Sequence, residues 1–148
     1  MVEVTASATV SAPPERVWEF LCDTSRYAEW VVDTDEVTRT DGPAAPGSTY
    51  DERNPIAGPW MAKTHWRVTE FEAPRRQLHE GEGIPLMKSL QVVMELAPVG
   101  DASEFTVTLR GEPSGPLGRL FASAMKGQTE KNNRRTVRNL AELVARET

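Results

Sequence analysis

Few residues of this chain can do acid–base chemistry, and their spacing decides what they could do. In STYDERN, strand alternation puts Tyr50, Glu52 and Asn54 on one side and Asp51 and Arg53 on the other. If Tyr50 points into an interior, Glu52 goes with it. Desolvation then makes its carboxylate more basic, as a general base requires. The competing fate is a rim salt bridge with a neighbouring Arg or Lys. His65 alternates with Trp66 and is expected on a wet face. For His79 the phase is open, because Leu78 and His79 compete for the inward side. An inward His79 could act as acid or base near neutral pH; an inward Leu78 would bring Glu80 and Glu82 with it. A third set, Gln128, Asn132 and Thr136, recurs at the four-residue spacing of one helix face.

These side chains need elements to position them. VEVTASATV reads as a strand, stopped by Pro13-Pro14, which suit a first helical turn. Val17, Phe20 and Leu21 then mark one face of a short helix. Asp23-Thr24 offers a new N-cap, and Tyr27 and Trp30 sit three apart on a second short helix. Turn signals at 41–47, 54–59, 81–85, 97–103 and 112–116 bound about six further strands. Within them, alternation groups Trp60, Ala62, Trp66 and Val68; Leu90, Val92, Met94 and Leu96; and Phe105, Val107 and Leu109. From Leu117 to about Arg146 there is no proline, and Leu117, Leu120, Phe121, Ala124, Met125, Leu140, Leu143 and Val144 return at helical spacing. Such a helix is about 45 Å long, enough to cross a whole sheet.

A curled antiparallel sheet with one wet face, closed by one long helix, leaves a space between them. The two short helices would plug one end with Trp18, Phe20, Tyr27 or Trp30. Cavity-facing candidates are Tyr50, Trp60, Trp66, Val68, Leu90, Val92, Met94, Phe105, Val107 and Leu109, with Phe121 and Met125 from the helix. For each of them a plain filled core is the first reading and a ligand wall the second. The helix stripe turns polar at Gln128, Asn132 and Thr136. Either these side chains meet a polar group of a ligand in a hydrated cavity, or Gly127 bends the helix and turns them outward.

Two stretches carry a resemblance. APPERVWEFLCDTSRYAEW resembles the opening of the START-like, or SRPBCC, superfamily, the helix-grip fold that includes birch-pollen-allergen-like proteins. PGSTYDERNP and WRVTEFEAPRRQLHEGEG resemble its polyketide cyclase/dehydrase-like branch, with Ala73 where a first proline often stands. The resemblance runs from about Val4 to Leu143. It implies an α+β helix-grip fold in residues 1–148: a curved antiparallel sheet of about six to seven strands, two short helices after strand 1, and a long C-terminal helix enclosing a cavity. Members bind lipids, sterols, quinones or polyketides, and some cyclise polyketides or assist chaperones. The family has no shared catalytic residue to carry over.

The totals narrow the field. A chain of 148 residues reads as a single domain. With 17 basic against 22 acidic residues, net charge −5, no nucleic-acid footprint is expected. The histidines form no HExxH pair, there is no CxxC, and GxGxxG, GxxxxGKS/T and GxSxG are absent, so neither a metal nor a cofactor is expected. No apolar run approaches the roughly 20 residues of a membrane span. The lone cysteine, Cys22, and the absence of a signal-like N-terminus suggest a cytoplasmic setting.

Three functional readings follow. The first is a binder of a small hydrophobic molecule such as a lipid or polyketide, anchored by Asn54, Gln128, Asn132 and Thr136. The second is a polyketide cyclase/aromatase-type enzyme, with Glu52 as base of an aldol-type cyclisation, Tyr50 or Asn54 holding a carbonyl, and His79 as a further acid/base. The third is a protein-interaction module like the chaperone-activator branch. Ligand identity, cavity size, pathway and oligomeric state stay open.

Overall fold

The computed structural model describes all 148 residues. Strand β1 (Val2–Val10) leads into α1 (Pro14–Cys22) and a 3-10 helix (Thr24–Glu29). Six strands follow, β2 (Glu36–Thr40), β3 (Thr49–Ala57), β4 (Trp60–Glu72), β5 (Arg76–Glu82), β6 (Met87–Val99) and β7 (Ala102–Pro113). The chain ends in α2 (Gly115–Glu147). The strands form one antiparallel sheet in the order β1-β7-β6-β5-β4-β3-β2. Every strand from β2 to β7 is thus a hairpin neighbour of the next, while the two short helices carry the chain from β1 across to the opposite edge.

α1 begins as its sequence suggests, with Pro14 in the first turn. Asp23 precedes the 3-10 helix without capping it through its side chain; its carboxylate accepts from the Ser25 hydroxyl instead. Val17 and Leu21 of α1 are fully buried, and Trp18 tilts against Phe71 of β4 with ring centroids 5.2 Å apart.

α2 holds the sheet unevenly. In its C-terminal half Val137, Leu140, Leu143 and Val144 are buried in the core. In its first half only Gly118 is buried, because its Cα lies so close to the Leu86 carbonyl that a Cβ would come within 2.4 Å. The helix is therefore pinned at its start and packed at its end, with a gap beneath the stretch between. Leu117 and Leu120, placed by periodicity on the sheet-facing stripe, are instead 63% and 68% exposed, and Ala124 is exposed too. Phe121 and Met125 carry the inward face at this level.

The phase of β5 resolves in favour of His79. Gln77 and His79 point inward, fully buried, and Leu78 goes to the outer face, cross-strand from Val93. A bulge between Val68 and Glu70 accompanies this register. Gly81 follows on the inner face, and an added Cβ there would sit 2.5 Å from the Trp66 ring. Glycine lets the indole lie flat across β5.

Candidate functional site

The gap between sheet and α2 is a cavity of about 550 Å³, open to solvent. Its apolar walls come from Val4 of β1, Leu90, Val92 and Met94 of β6, and Val107 and Leu109 of β7, with Phe121 and Met125 overhead. Tyr27 and Trp30 from the plug line it too, Tyr27 edge-on to both Trp30 and Tyr50. Tyr50 stacks with Trp66, centroids 6.3 Å apart and nearly parallel. Trp18 and Phe20 take no part in the lining: Phe20 sits beneath the guanidinium groups of Arg16 and Arg26.

Three expected wall residues lie elsewhere. Trp60 shares the inward phase of β4, but it stands at the tip of the β3–β4 hairpin, past a bulge at Pro55/Ala57, where no element covers it; it is 68% exposed. Val68 and Phe105 do face inward and are fully buried, yet neither lines the cavity. Phe105 is covered by the Trp30 edge at 5.9 Å. Phe105 belongs to the solid core.

One end of the cavity is polar. Glu52, Asn54 and Tyr50 all enter it from β3, as their shared phase predicted, and Glu52 and Asn54 are only 5% and 6% exposed. The rim salt bridge for Glu52 is not formed: Arg53 turns out to Asp35 at 2.7 Å, and Arg39 to Asp51 at 2.8 Å. Glu52 Oε1 instead accepts from Asn54 Nδ2 at 3.0 Å. The same nitrogen donates to the Asp33 carbonyl at 2.8 Å. Asn54 Oδ1 accepts from the Thr64 hydroxyl, which in turn accepts from Trp66 Nε1 at 2.7 Å. A directed chain of hydrogen bonds therefore runs from the indole to the carboxylate. Burial pushes the Glu52 pKa up to about 7, against the opposing pull of its hydrogen bonds from Asn54 and Thr34, with a further upward push from the charge of Asp33.

From the helix side, Gln128, Asn132 and Thr136 all line the cavity. Gln128 Nε2 donates to Asn132 Oδ1 at 2.7 Å, and Asn132 Nδ2 donates to Asp33 Oδ1 at 2.8 Å. Thr136 Oγ1 accepts from the Val32 amide at 3.0 Å. Asn132 and Thr136 thus face the cavity, while Gln128, next to Gly127, lies at its exposed edge. Asp33 and Thr34, on the loop after the 3-10 helix, are polar-end residues that sequence reasoning missed, as it also missed Val4 and the buried Asn133. The only signal for Asp33 and Thr34 is a polar pair right after the apolar Val31-Val32, and no periodicity marks a loop residue as interior. Burial raises the Asp33 pKa, partly countered by its hydrogen bond from Asn132.

His79 lines the cavity wall, but both its nitrogens are occupied. Gln77 Nε2 donates to Cys22 Sγ at 3.4 Å, so Gln77 Oε1 is the acceptor for His79 Nε2–H at 2.8 Å. His79 Nδ1 is then the acceptor for the Tyr50 hydroxyl at 2.6 Å. Burial lowers the His79 pKa to about 4. The imidazole is neutral at physiological pH and orients Tyr50; the expectation of an acid/base near pH 7 does not fit this environment. His65, by contrast, sits on the outer face against Asp51 at 2.6 Å. Cys22 is half-buried, and burial raises its thiol pKa. No three His, Cys, Asp or Glu side chains converge as metal ligands would. No helix is long and apolar enough to cross a membrane.

Sheet, plug, long helix and cavity together define the helix-grip class. The family described as "Polyketide cyclase / dehydrase and lipid transport" matches residues 1–145, and the chain belongs to it. An uncharacterised protein of Mycobacterium tuberculosis is 30% identical over 136 residues, covering 89% of this chain and 94% of its own. Among solved structures, a Thermus thermophilus protein superposes with a TM-score of 0.82 at 18% identity, with 99% of each chain covered. The Zhui aromatase/cyclase from Streptomyces sp. R1128 gives 0.78 at 16% identity, covering 99% of this chain and 94% of that one. A START superfamily protein from Mycobacterium smegmatis gives 0.76 at 17% identity, with 99% of each covered. At these identities the likeness is one of fold.

Proposed function

We propose that residues 1–148 act as one START-like domain that binds a small, mostly hydrophobic molecule in the cavity. The apolar body of the ligand would lie along β6 and β7 beneath Phe121 and Met125. Its polar end would reach Glu52, Asn54 and Asn132. The observation that carries this reading is the cavity of about 550 Å³ itself, apolar on its walls and polar at one end. A filled core would have closed it, because apolar side chains pack to near-crystalline density when nothing else needs the space. A cytoplasmic setting belongs to the same reading, supported by a lone cysteine without a disulfide partner. Native mass spectrometry of freshly purified protein, compared with the denatured sample, tests it. A reproducible extra mass lost on denaturation is expected; no extra mass, together with no uptake of any apolar probe, would overturn it.

A cyclase-type activity is the second reading, favoured by Glu52: a buried carboxylate with a pKa of about 7 suits a general base at neutral pH. Glu52 would remove a proton from carbon next to a ketone, the enolate would attack a second carbonyl to form a carbon–carbon bond, and the protonated Glu52 would return its proton to the alkoxide. Loss of turnover in Glu52→Gln, with binding retained, would separate this reading from simple binding.

A further inference from the structure

We infer that the cavity selects ligands whose polar end donates hydrogen bonds, a hydroxyl or an ammonium on an apolar body, and discriminates against carboxylate ends. This rests on the ligand-binding reading above. At the polar end most of the protein's own protons are committed; of the cavity lining, the Trp30 indole N–H is buried without a partner and the Thr136 hydroxyl is shown only accepting, from the Val32 amide. Asn54 donates both to the Asp33 carbonyl and to Glu52. Asn132 donates to Asp33, and Gln128 to Asn132. The Thr34 side chain is hydrogen-bonded to Glu52, and the Thr64 hydroxyl donates to Asn54. The Tyr50 hydroxyl proton goes to His79. What the polar end offers a ligand is therefore mainly oxygen lone pairs, on two carboxylates and a phenol.

Neither carboxylate has a cation against it. Arg53, the cation on Glu52's own strand, points outward to Asp35 and Glu36. The cations that line the cavity are Arg110 on β7 and Lys126 on α2, and Arg110 is held by Glu3 at 3.1 Å. A ligand carboxylate at the polar end would bring a third negative charge beside Asp33 and Glu52, in a site where charges are poorly screened. A hydroxyl or ammonium would instead meet unused acceptors, and the ammonium would also supply the missing counter-charge.

The test uses three probes with the same twelve-carbon chain: 1-dodecanol, dodecylammonium and dodecanoate. Each competes with the neutral fluorophore N-phenyl-1-naphthylamine at pH 8 and about 0.15 M salt, where exposed surface charges are screened beyond about 8 Å. Dodecanol and dodecylammonium are expected to displace the fluorophore at roughly ten-fold lower concentration than dodecanoate. The neutral alcohol separates hydrogen-bond donation from the attraction of a cation to a protein of net charge −5. In Asp33→Asn, which keeps an oxygen for Asn132, dodecylammonium should weaken and dodecanoate should gain. Glu52→Gln should shift the ratio the same way and serves if the first variant does not fold. Dodecanoate binding as tightly as the alcohol, or a ratio unchanged in both variants, would overturn the selectivity while leaving the binding reading intact. No uptake of the fluorophore or of any probe would overturn both.

Discussion

Asn132 and Asp33 lie 99 residues apart in the chain, yet the Asn132 Nδ2 donates to Asp33 Oδ1 at 2.8 Å. A residue of α2, above the cavity, thereby holds the loop that ends the plug and carries part of the polar end. The same loop is fixed a second time by the Val32 amide on Thr136.

Replacing Asn132 with leucine removes the donor and leaves the mostly buried Asp33 carboxylate short of a partner. The variant should fold, with a native-like circular dichroism spectrum, but lose about 1–3 kcal/mol of stability. Affinity for any ligand bound at the polar end should change with it. Urea denaturation and fluorophore displacement measure the two effects. An unchanged urea midpoint would mean that Asn132 does not clamp the loop.

Glu52 should leave a signature in stability against pH. Its folded pKa of about 7 lies above the ordinary 4.5, so between those values the folded state holds more protons than the unfolded one, and stability falls as pH rises. The penalty is absent below about pH 4.5 and complete above about pH 7, where it reaches on the order of 3 kcal/mol. Asp33, also raised, contributes with the same sign. His79, lowered to about 4, acts in the opposite direction: its contribution is present above about pH 6.5 and lost as pH falls toward 4. The difference between wild type and Glu52→Gln isolates the glutamate. That variant should gain stability relative to wild type as pH is raised from 5 to 8. A flat difference in urea midpoints across that range would contradict the burial of an ionised Glu52.

His79 should stay neutral, protonated on Nε2, from pH 8 down to about pH 5. Long-range nitrogen–proton NMR spectra distinguish the two tautomers and the imidazolium directly. A titration midpoint near 6.5 for His79 would show that the ring reaches solvent and would restore it as an acid/base candidate.

Two glycines make opposite predictions. In Gly81→Ala the new methyl would meet the Trp66 ring at 2.5 Å, so the indole or β5 must move. A loss of about 1–3 kcal/mol is expected, with the bond from Trp66 Nε1 to Thr64 strained or broken. Gly127 lies inside α2 with open space where a Cβ would point. Gly127→Ala should therefore stabilise by up to about 1 kcal/mol through helix propensity. Thermal unfolding of both variants checks the pair; a stabilised Gly81→Ala would mean that Trp66 has room to shift.

Local periodicity reached far into this protein because a strand has period 2, and between bulges pairing does not change which side a residue takes. Spacing alone grouped Tyr50, Glu52 and Asn54 on one side of β3, and Gln128, Asn132 and Thr136 on one stripe of α2, but it left open which way each set faced. The same rule could not say where along an element the covering ended. Trp60 has the inward phase and is exposed, because it stands at the hairpin tip with nothing packed over it; Phe105 has it and is sealed by Trp30. Leu117 and Leu120 fit a helical stripe that the first turns of α2 do not use. The choice between Leu78 and His79 was undecidable locally, since either residue could take the inner face; in the fold both are buried, on opposite faces of the sheet.

Elements, their order and the grouping of residues on one side of a strand were thus properties of the sequence read a few residues at a time, since backbone geometry sets those periods. The stand-off of α2, the cavity beneath it and the meeting of Asp33 with Asn132 were decided only by tertiary packing. They depend on distances between segments far apart in the chain. The basicity of Glu52 belongs with them: desolvation is a property of what surrounds a carboxylate, and nearly all of its surroundings come from elsewhere in the chain.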